Sequence, residues 1–191
     1  VLVFDSFWFG NPLKKNKNLR IVKGDVRNIS NLKIRNIDTI IHLANVANDP
    51  TVELNPNLSW EVNVLASKRI AEYAIKNKVK KLIFFSSGSV YGLKKEKKVT
   101  ENLKLNPISV YNKTKMIAER VFLSYKDKLN ILCLRPATVC GVSNRLRLDV
   151  TVNKLTFDAF FKKKIFVDGG KQVRPNIHLE DIVRIIDHFA L

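Results

Sequence analysis

Short, almost wholly apolar runs recur along this chain, and between them the apolar residues switch to helical spacing. Val1–Phe4, Leu19–Val22, Thr39–Ala44, Lys81–Phe85 and Leu129–Leu134 each read as a strand with apolar side chains on both faces. Such strands need cover on both sides, which a parallel sheet between helical layers provides. Between the third and fourth runs, Asn55-Pro56 offers a cap and a first-turn proline. Leu58, Val62, Leu65, Ala66, Ile70 and Ala74 then recur at helical spacing, predicting a helix to about Lys78. A second long helix is expected from Ser109 to Tyr125, burying Ala118, Val121 and Phe122. Beyond it the pattern predicts a helix over Val150–Phe161, a short strand at Ile165–Val167 and an amphipathic helix over Leu179–Leu191. The class is therefore α/β, a doubly wound parallel sheet. The alternation loosens from about Gly141, where a smaller lobe is expected to begin.

In such sheets ligands gather at the carboxyl ends of the strands. Asp5, Asp25, Ala44, Ser87 and Pro136 all follow predicted strand ends. One pair on the second long helix carries chemistry. Tyr111 and Lys115 are four residues apart, hence on one helical face. A lysine ammonium near a phenol favours the phenolate, whose pKa is otherwise about 10, so the phenol can act as a base or acid near neutral pH. A serine hydroxyl aimed at the same oxygen would complete a hydroxyl–carbonyl redox site, and Ser87 is the candidate. Alone, the Tyr-x-x-x-Lys spacing is common on helix surfaces, and Ser86-Ser87-Gly88-Ser89 alone would read as a flexible turn. His42 on its apolar strand and Tyr91 are read as packing residues, and Asn63 in mid-helix as a structural hydrogen-bonder.

Composition narrows the classes. Of the 191 residues, 46% are hydrophobic, enough for a core and too many for a disordered chain. No run approaches the roughly 18 apolar residues of a membrane helix. Val1–Phe4 reads as mid-domain strand and not as a secretory leader. The two cysteines, Cys133 and Cys140, match neither a disulfide framework nor metal-ligand spacing, so no metal is expected and a reducing cytoplasm fits. The net charge of +17 would attract polyanions or phosphorylated substrates. It is nevertheless dispersed, the densest cluster being Lys94-Lys95-Glu96-Lys97-Lys98. No aromatic–basic interleaving of the kind that stacks bases is visible, which disfavours nucleic acid as a partner.

Taken together, these segments resemble the extended short-chain dehydrogenase/reductases, specifically the NAD-dependent nucleotide-sugar epimerase/dehydratase group. The resemblance rests on Asp5-Ser-Phe-Trp-Phe-Gly10, Gly24-Asp25-Val26-Arg27, Ile41-His-Leu-Ala44, Asn63-Val64, Phe85-Ser-Ser-Gly-Ser-Val-Tyr-Gly92, Tyr111-x-x-x-Lys115, Leu134-Arg-Pro-Ala-Thr-Val-Cys-Gly141 and Arg174-Pro-Asn-Ile-His178. They occur in family order over nearly the whole chain. The resemblance implies a Rossmann-like NAD-binding core over residues 1–140 and a partial substrate-binding lobe over 141–191. It implies Ser87, Tyr111 and Lys115 as the catalytic residues. NAD would be held by Asp5 at the adenosine ribose, by Asp25 and Val26 at the adenine, and by Leu43 and Ala44 beside the cofactor. Ser86, Tyr111, Lys115, Pro136 and Val139 would line its nicotinamide half. A nucleotide-diphosphate sugar would meet Ser87, Ser89, Thr138 and Arg174, with Arg145 and Arg147 as weaker candidates for the diphosphate. A homodimer through the two long helices is a further family expectation.

Several departures qualify the resemblance. The family's opening strand and Gly-x-x-Gly-x-x-Gly loop, roughly 25–30 residues by the size of a βα unit, are expected ahead of Val1. More of the substrate lobe is expected after Leu191. The 191-residue chain alone is accordingly expected to bind NAD poorly. Thr138 stands where many epimerases carry an asparagine. The implied activity is epimerisation by transient oxidation of a sugar hydroxyl and hydride return. A 4,6-dehydratase, a decarboxylase and an NAD(P)H-dependent sugar reductase are the alternatives within the class. Gly88 and Ser89 occupy the places where dehydratases carry acidic residues, which weighs against dehydration.

Overall fold

The computed structural model describes residues 1–190 of the chain. They form two compact units, the first spanning Val1–Arg135 and the second beginning at Pro136.

The first unit holds five strands, all paired in parallel: β1 (Leu2–Asp5) with β2 (Arg20–Lys23), and β3 (Thr39–His42), β4 (Lys81–Phe85) and β5 (Asn130–Leu134) in that order. The α/β class with parallel strands is as the apolar runs require. β4 lies between two neighbours, and its Leu82, Ile83 and Phe84 are at most 2% exposed. Its Lys-Leu-Ile-Phe-Phe sequence suits a strand covered on both faces.

The predicted helix of residues 57–78 forms as α2 (Pro56–Trp60), a π turn over Glu61–Leu65 and α3 (Ala66–Lys76). Asn55 caps it, its side chain accepting from the Leu58 N–H. A short helix not expected from the apolar pattern, α1 (Asp49–Leu54), precedes it, capped by Asn48 with Pro50 in its first turn. Helix α4 (Val110–Leu123) begins at Ser109, whose hydroxyl accepts from the Asn112 N–H. Its Ala118 and Phe122 are wholly buried against the core that includes Leu82, Phe84, Ile70 and Ala74. Phe122 packs on Phe84 with ring centroids 4.8 Å apart, and His42 stacks on Phe84 and meets Phe122 in an edge-to-face contact. Burial in that aromatic cluster, with Lys115 nearby, pushes the His42 imidazole down to about 3. His42 is thus a neutral core side chain.

In the second unit β6 (Thr138–Cys140) pairs in parallel with β7 (Asn176–His178). Helix α5 (Thr151–Phe157) continues into a π turn over Asp158–Lys162, and α6 (Leu179–Ala190) closes the described residues. Leu191, the last residue of the expected terminal helix, lies outside them. Ile165–Val167 was expected to be a strand and is not one: these residues run as irregular chain, 50–67% exposed, with no ladder partner. An apolar run becomes a strand only when another strand takes up its N–H and C=O groups.

Candidate active site

The carboxyl ends of β3 and β4 set the frame. The register pairs His42 with Phe84, so the continuation Leu43–Ala44 runs beside Phe85–Ser86. Leu43 is largely exposed there, while Ser86 is buried. The Ser86 N–H donates to the Leu134 carbonyl at 2.7 Å, yet its hydroxyl oxygen is buried without a hydrogen-bond partner. A buried hydroxyl left in that condition is costly unless something else engages it.

The chain then turns sharply. Ser87 caps a 3₁₀ turn over Gly88–Tyr91, accepting from the Ser89 N–H at 3.2 Å, and its hydroxyl shares a 2.8 Å hydrogen bond with that of Ser89. The turn closes on Gly92, whose φ of +68° and ψ of −151° belong to a region open essentially to glycine. A Cβ at Gly92 would lie 2.1 Å from the Asn106 carbonyl oxygen. The Ser-Gly-Ser-Val-Tyr-Gly sequence therefore fixes a tight turn that carries two hydroxyls on its first half.

Helix α4 carries Tyr111 and Lys115 one turn apart. Lys115 is 5% exposed, and its ammonium donates to the Phe85 carbonyl at 2.5 Å while lying 4.7 Å from the Phe84 ring centre. Desolvation in this apolar setting brings its pKa down to about 7. The ammonium thus meets the last residue of β4, next to Ser86 and Ser87, one helical turn from Tyr111. Tyr111 is half-buried and packs against the core.

A buried amide pins this helix. Asn63, in the π turn, accepts from the Val46 N–H at 2.8 Å and donates to the Val46 carbonyl and the Thr114 hydroxyl, each at 3.1 Å. Thr114 in turn donates to the Tyr111 carbonyl at 2.8 Å. Asn63 thereby links the loop after β3 to the turn of helix that carries Tyr111, the structural part expected of it.

The remaining expected residues are placed as follows. Asp5 ends β1, exposed, with Oδ1 accepting from the Phe7 N–H at 2.6 Å. Asp25 caps a 3₁₀ turn over Val26–Asn31, and its Oδ2 accepts from Arg27 Nε at 3.0 Å and Nη2 at 2.8 Å. Arg27 reaches on to Glu61 at 2.6 Å. The Arg27 guanidinium holds the Asp25 carboxyl below the usual carboxylate range. Val26 is 9% exposed and belongs to the core. Pro136, Thr138, Val139 and Arg174 belong to the second unit; Thr138 and Val139 lie on β6, and the Thr138 N–H donates to the Pro175 carbonyl at 3.2 Å. Arg174, Arg145 and Thr138 are exposed. The structure thus brings Ser86, Ser87, Ser89, Lys115, Leu43 and Ala44 to adjoining strand ends of the first unit.

Sequence reasoning missed one buried group. Glu119, on α4 four residues beyond Lys115, is 3% exposed and forms a bidentate pair with Arg135. A glutamate continuing the Tyr111–Lys115 face, facing an arginine at the end of an apolar strand, was the available signal. Elsewhere, a cleft of about 800 Å³ at the amino ends of β4 and β5 is rimmed by Lys78, Lys80, Lys126 and Lys128. Their backbone N–H groups are all engaged, and the lysines follow the last turns of α3 and α4, where cations favourably meet the helix dipole. Among the described residues no group of three or more His, Cys, Asp or Glu is placed to hold a metal ion, and no helix is long and apolar enough to cross a membrane.

Comparison with known proteins identifies the family. The family model of the NAD dependent epimerase/dehydratase family matches residues 1–191. A UDP-glucose 4-epimerase of Lactobacillus helveticus is 27% identical over 205 residues, covering 96% of this chain and 62% of that protein. The solved structure of MoeE5 in complex with UDP-glucuronic acid and NAD superposes with a TM-score of 0.82 at 28% identity, over 99% of this chain and 63% of the other. A UDP-N-acetylglucosamine 4-epimerase from Methanobrevibacter ruminantium M1, in complex with UDP-N-acetylmuramic acid, gives 0.80 at 25% identity, over 96% and 62%. The chain spans about three fifths of the length of these relatives. The chain belongs to the NAD dependent epimerase/dehydratase family.

Proposed function

We propose that this chain, as a member of that family, carries the catalytic half of a nucleotide-sugar epimerase that works with NAD. The observation that carries the reading is the buried lysine: Lys115, one turn from Tyr111, anchored on the carbonyl that precedes Ser86 and Ser87. A lysine costs too much to bury for packing alone, and here its ammonium is anchored on the backbone carbonyl just before Ser86 and Ser87, on the helix that carries Tyr111 one turn earlier.

The donor set suits NAD. Asp5, a carboxylate at a strand end with one backbone N–H on it, can accept from ribose hydroxyls and would repel a 2′-phosphate. The unpartnered Ser86 hydroxyl and the remaining N–H bonds of Lys115 supply polar groups for the nicotinamide half. Asp25, Val26, Leu43, Ala44, Pro136 and Val139 complete the proposed cofactor contacts. When bound, NAD would supply reversible hydride acceptance at the sugar carbon.

The residues of the chain do the rest. Tyr111 as phenolate takes the proton of a sugar hydroxyl, and Ser87 donates to the same oxygen while Ser89 holds the Ser87 hydroxyl in place. Lys115 stabilises the phenolate. Being near its own titration point, it is also easily discharged as the phenol takes up and returns its proton. Arg174 and Thr138 are assigned to the sugar nucleotide, the diphosphate suiting a guanidinium. The first unit would thus serve the cofactor and the second would begin the substrate lobe.

The test uses the protein at its natural full length with NAD and UDP-glucose. Formation of the 4-epimer without net NADH is the expected result. Tyr111→Phe should lose at least about 100-fold in kcat while retaining NAD. Full turnover in that variant would remove Tyr111 as the base, and stoichiometric consumption of reduced cofactor would replace the epimerase by a reductase.

A further inference from the structure

One guanidinium joins three pieces of the site. Arg135 follows β5 directly, and its Nε and Nη2 form the bidentate pair with Glu119 on α4. Its Nη1 donates to the Tyr91 hydroxyl at 2.8 Å and to the Glu101 carbonyl at 3.3 Å, and its central carbon lies 5.1 Å from the Tyr91 ring centre. Tyr91 is the last residue of the 3₁₀ turn that Ser87 caps. Glu119 lies on the helix that carries Tyr111 and Lys115, eight and four residues further along the same side, respectively. Both groups are nearly excluded from water, Tyr91 at 9% and Glu119 at 3% exposure.

A packing role alone would not need this set. A leucine could fill the place of Glu119, and a phenylalanine that of Tyr91. Instead a buried carboxylate is neutralised by a residue whose other arm binds the turn carrying the hydroxyls. Fork-shaped donors fix direction as well as distance, which an apolar contact does not. Backbone hydrogen bonds tie the turn to itself and to Asn106, and its Val90 is wholly buried; Arg135 adds a directional polar link between the turn and α4.

We propose that Arg135 is a positioning residue: gripping Glu119 with one arm and Tyr91 with the other, it holds the Ser87–Ser89 turn at a fixed distance from helix α4. The serine hydroxyl and the Tyr111–Lys115 pair are then presented to one substrate oxygen. The proposal rests on the reading of Ser87, Tyr111 and Lys115 as catalytic, and its test separates the two.

Tyr91→Phe removes one hydroxyl and keeps the ring, so the variant folds. In the full-length protein assayed with UDP-glucose, it should lower kcat about tenfold with KM within about twofold, because a small misplacement of a reacting group costs rate before it costs binding. In a Ser87→Ala background the same change should have no further effect, since there is no hydroxyl left to place. Arg135→Lys, which keeps the charge and loses the fork, should resemble Tyr91→Phe. Independently of turnover, hydrogen exchange at the Val90 and Gly92 amides should quicken about tenfold in Tyr91→Phe, while amides of α4 keep their protection. Additive losses in the double variant, or unchanged exchange at Val90 and Gly92, would overturn the proposal. Undiminished turnover in Ser87→Ala would instead overturn the catalytic reading beneath it, and the exchange measurement would then decide the clamp by itself.

Discussion

Replacing Lys115 by methionine should change how stability depends on pH, in a direction and by an amount the structure fixes. The folded protein holds this ammonium at about 7 against 10.5 for a free lysine, through desolvation. Below pH 7 the lysine is charged in both folded and unfolded chains, and the fold carries the whole cost of burying the charge. At about 1.4 kcal/mol per tenfold change in proton affinity, that cost is on the order of 5 kcal/mol. Between pH 7 and 10.5 the unfolded chain binds the proton and the folded chain does not, so wild-type stability gains with rising pH. The gain is about 1.4 kcal/mol per pH unit. Lys115→Met cannot gain in this way. Its stability relative to wild type should therefore fall by roughly 3 kcal/mol from pH 7 to pH 9. Urea denaturation of both proteins at pH 7, 8 and 9 without added nucleotide measures the difference. Taking the difference cancels Cys133, whose thiol burial pushes up to about 12, while His42, whose imidazole feels Lys115 and titrates near 6.5 in the unfolded chain, confines the comparison to pH 7 and above. A pH-independent difference between the two proteins would refute the claim that desolvation outweighs the carbonyl and ring contacts of the buried ammonium.

Other substitutions probe the frame around the site. Asn63→Ala should cost on the order of 3 kcal/mol in chemical denaturation, because it strands the Val46 N–H and C=O in the interior; a loss below about 0.5 kcal/mol would mean that water replaces the amide. Gly92→Ala should destabilise by about 1–3 kcal/mol from backbone strain alone, with more from the contact at the Asn106 oxygen, and a neutral outcome would show that the turn relaxes. Phe122→Ala, which empties the centre of the aromatic cluster, should cost about 3–5 kcal/mol in thermal or urea unfolding. A smaller loss would show that His42 and Phe84 close over the space.

Much of the first unit could be read from residue order alone. Runs such as Lys81–Phe85 need both faces covered whatever their neighbours are, and the cap at Asn55 and the stripe through Ile70 and Ala74 are local signals. The interval between Tyr111 and Lys115 likewise put both on one helical face. Ile165–Val167 shows where that kind of reading stops. Its composition is that of a strand, but strand pairing requires a second segment at the right place, and the nearby ladder formed between Thr138–Cys140 and Asn176–His178 instead.

The sequence by itself determined the α/β class, the parallel pairing implied by two-faced apolar strands, and the residue types available at the strand ends. Those follow from periodicity and composition over a few neighbouring residues. Tertiary structure decided that Lys115 is buried on the Phe85 carbonyl and so titrates near neutrality, and that Glu119 and Tyr91 meet on Arg135. Each depends on desolvation, or on groups up to 44 residues apart being brought within hydrogen-bond distance. Neither is encoded in local spacing, because the energy of a buried charge is set by what surrounds it in space.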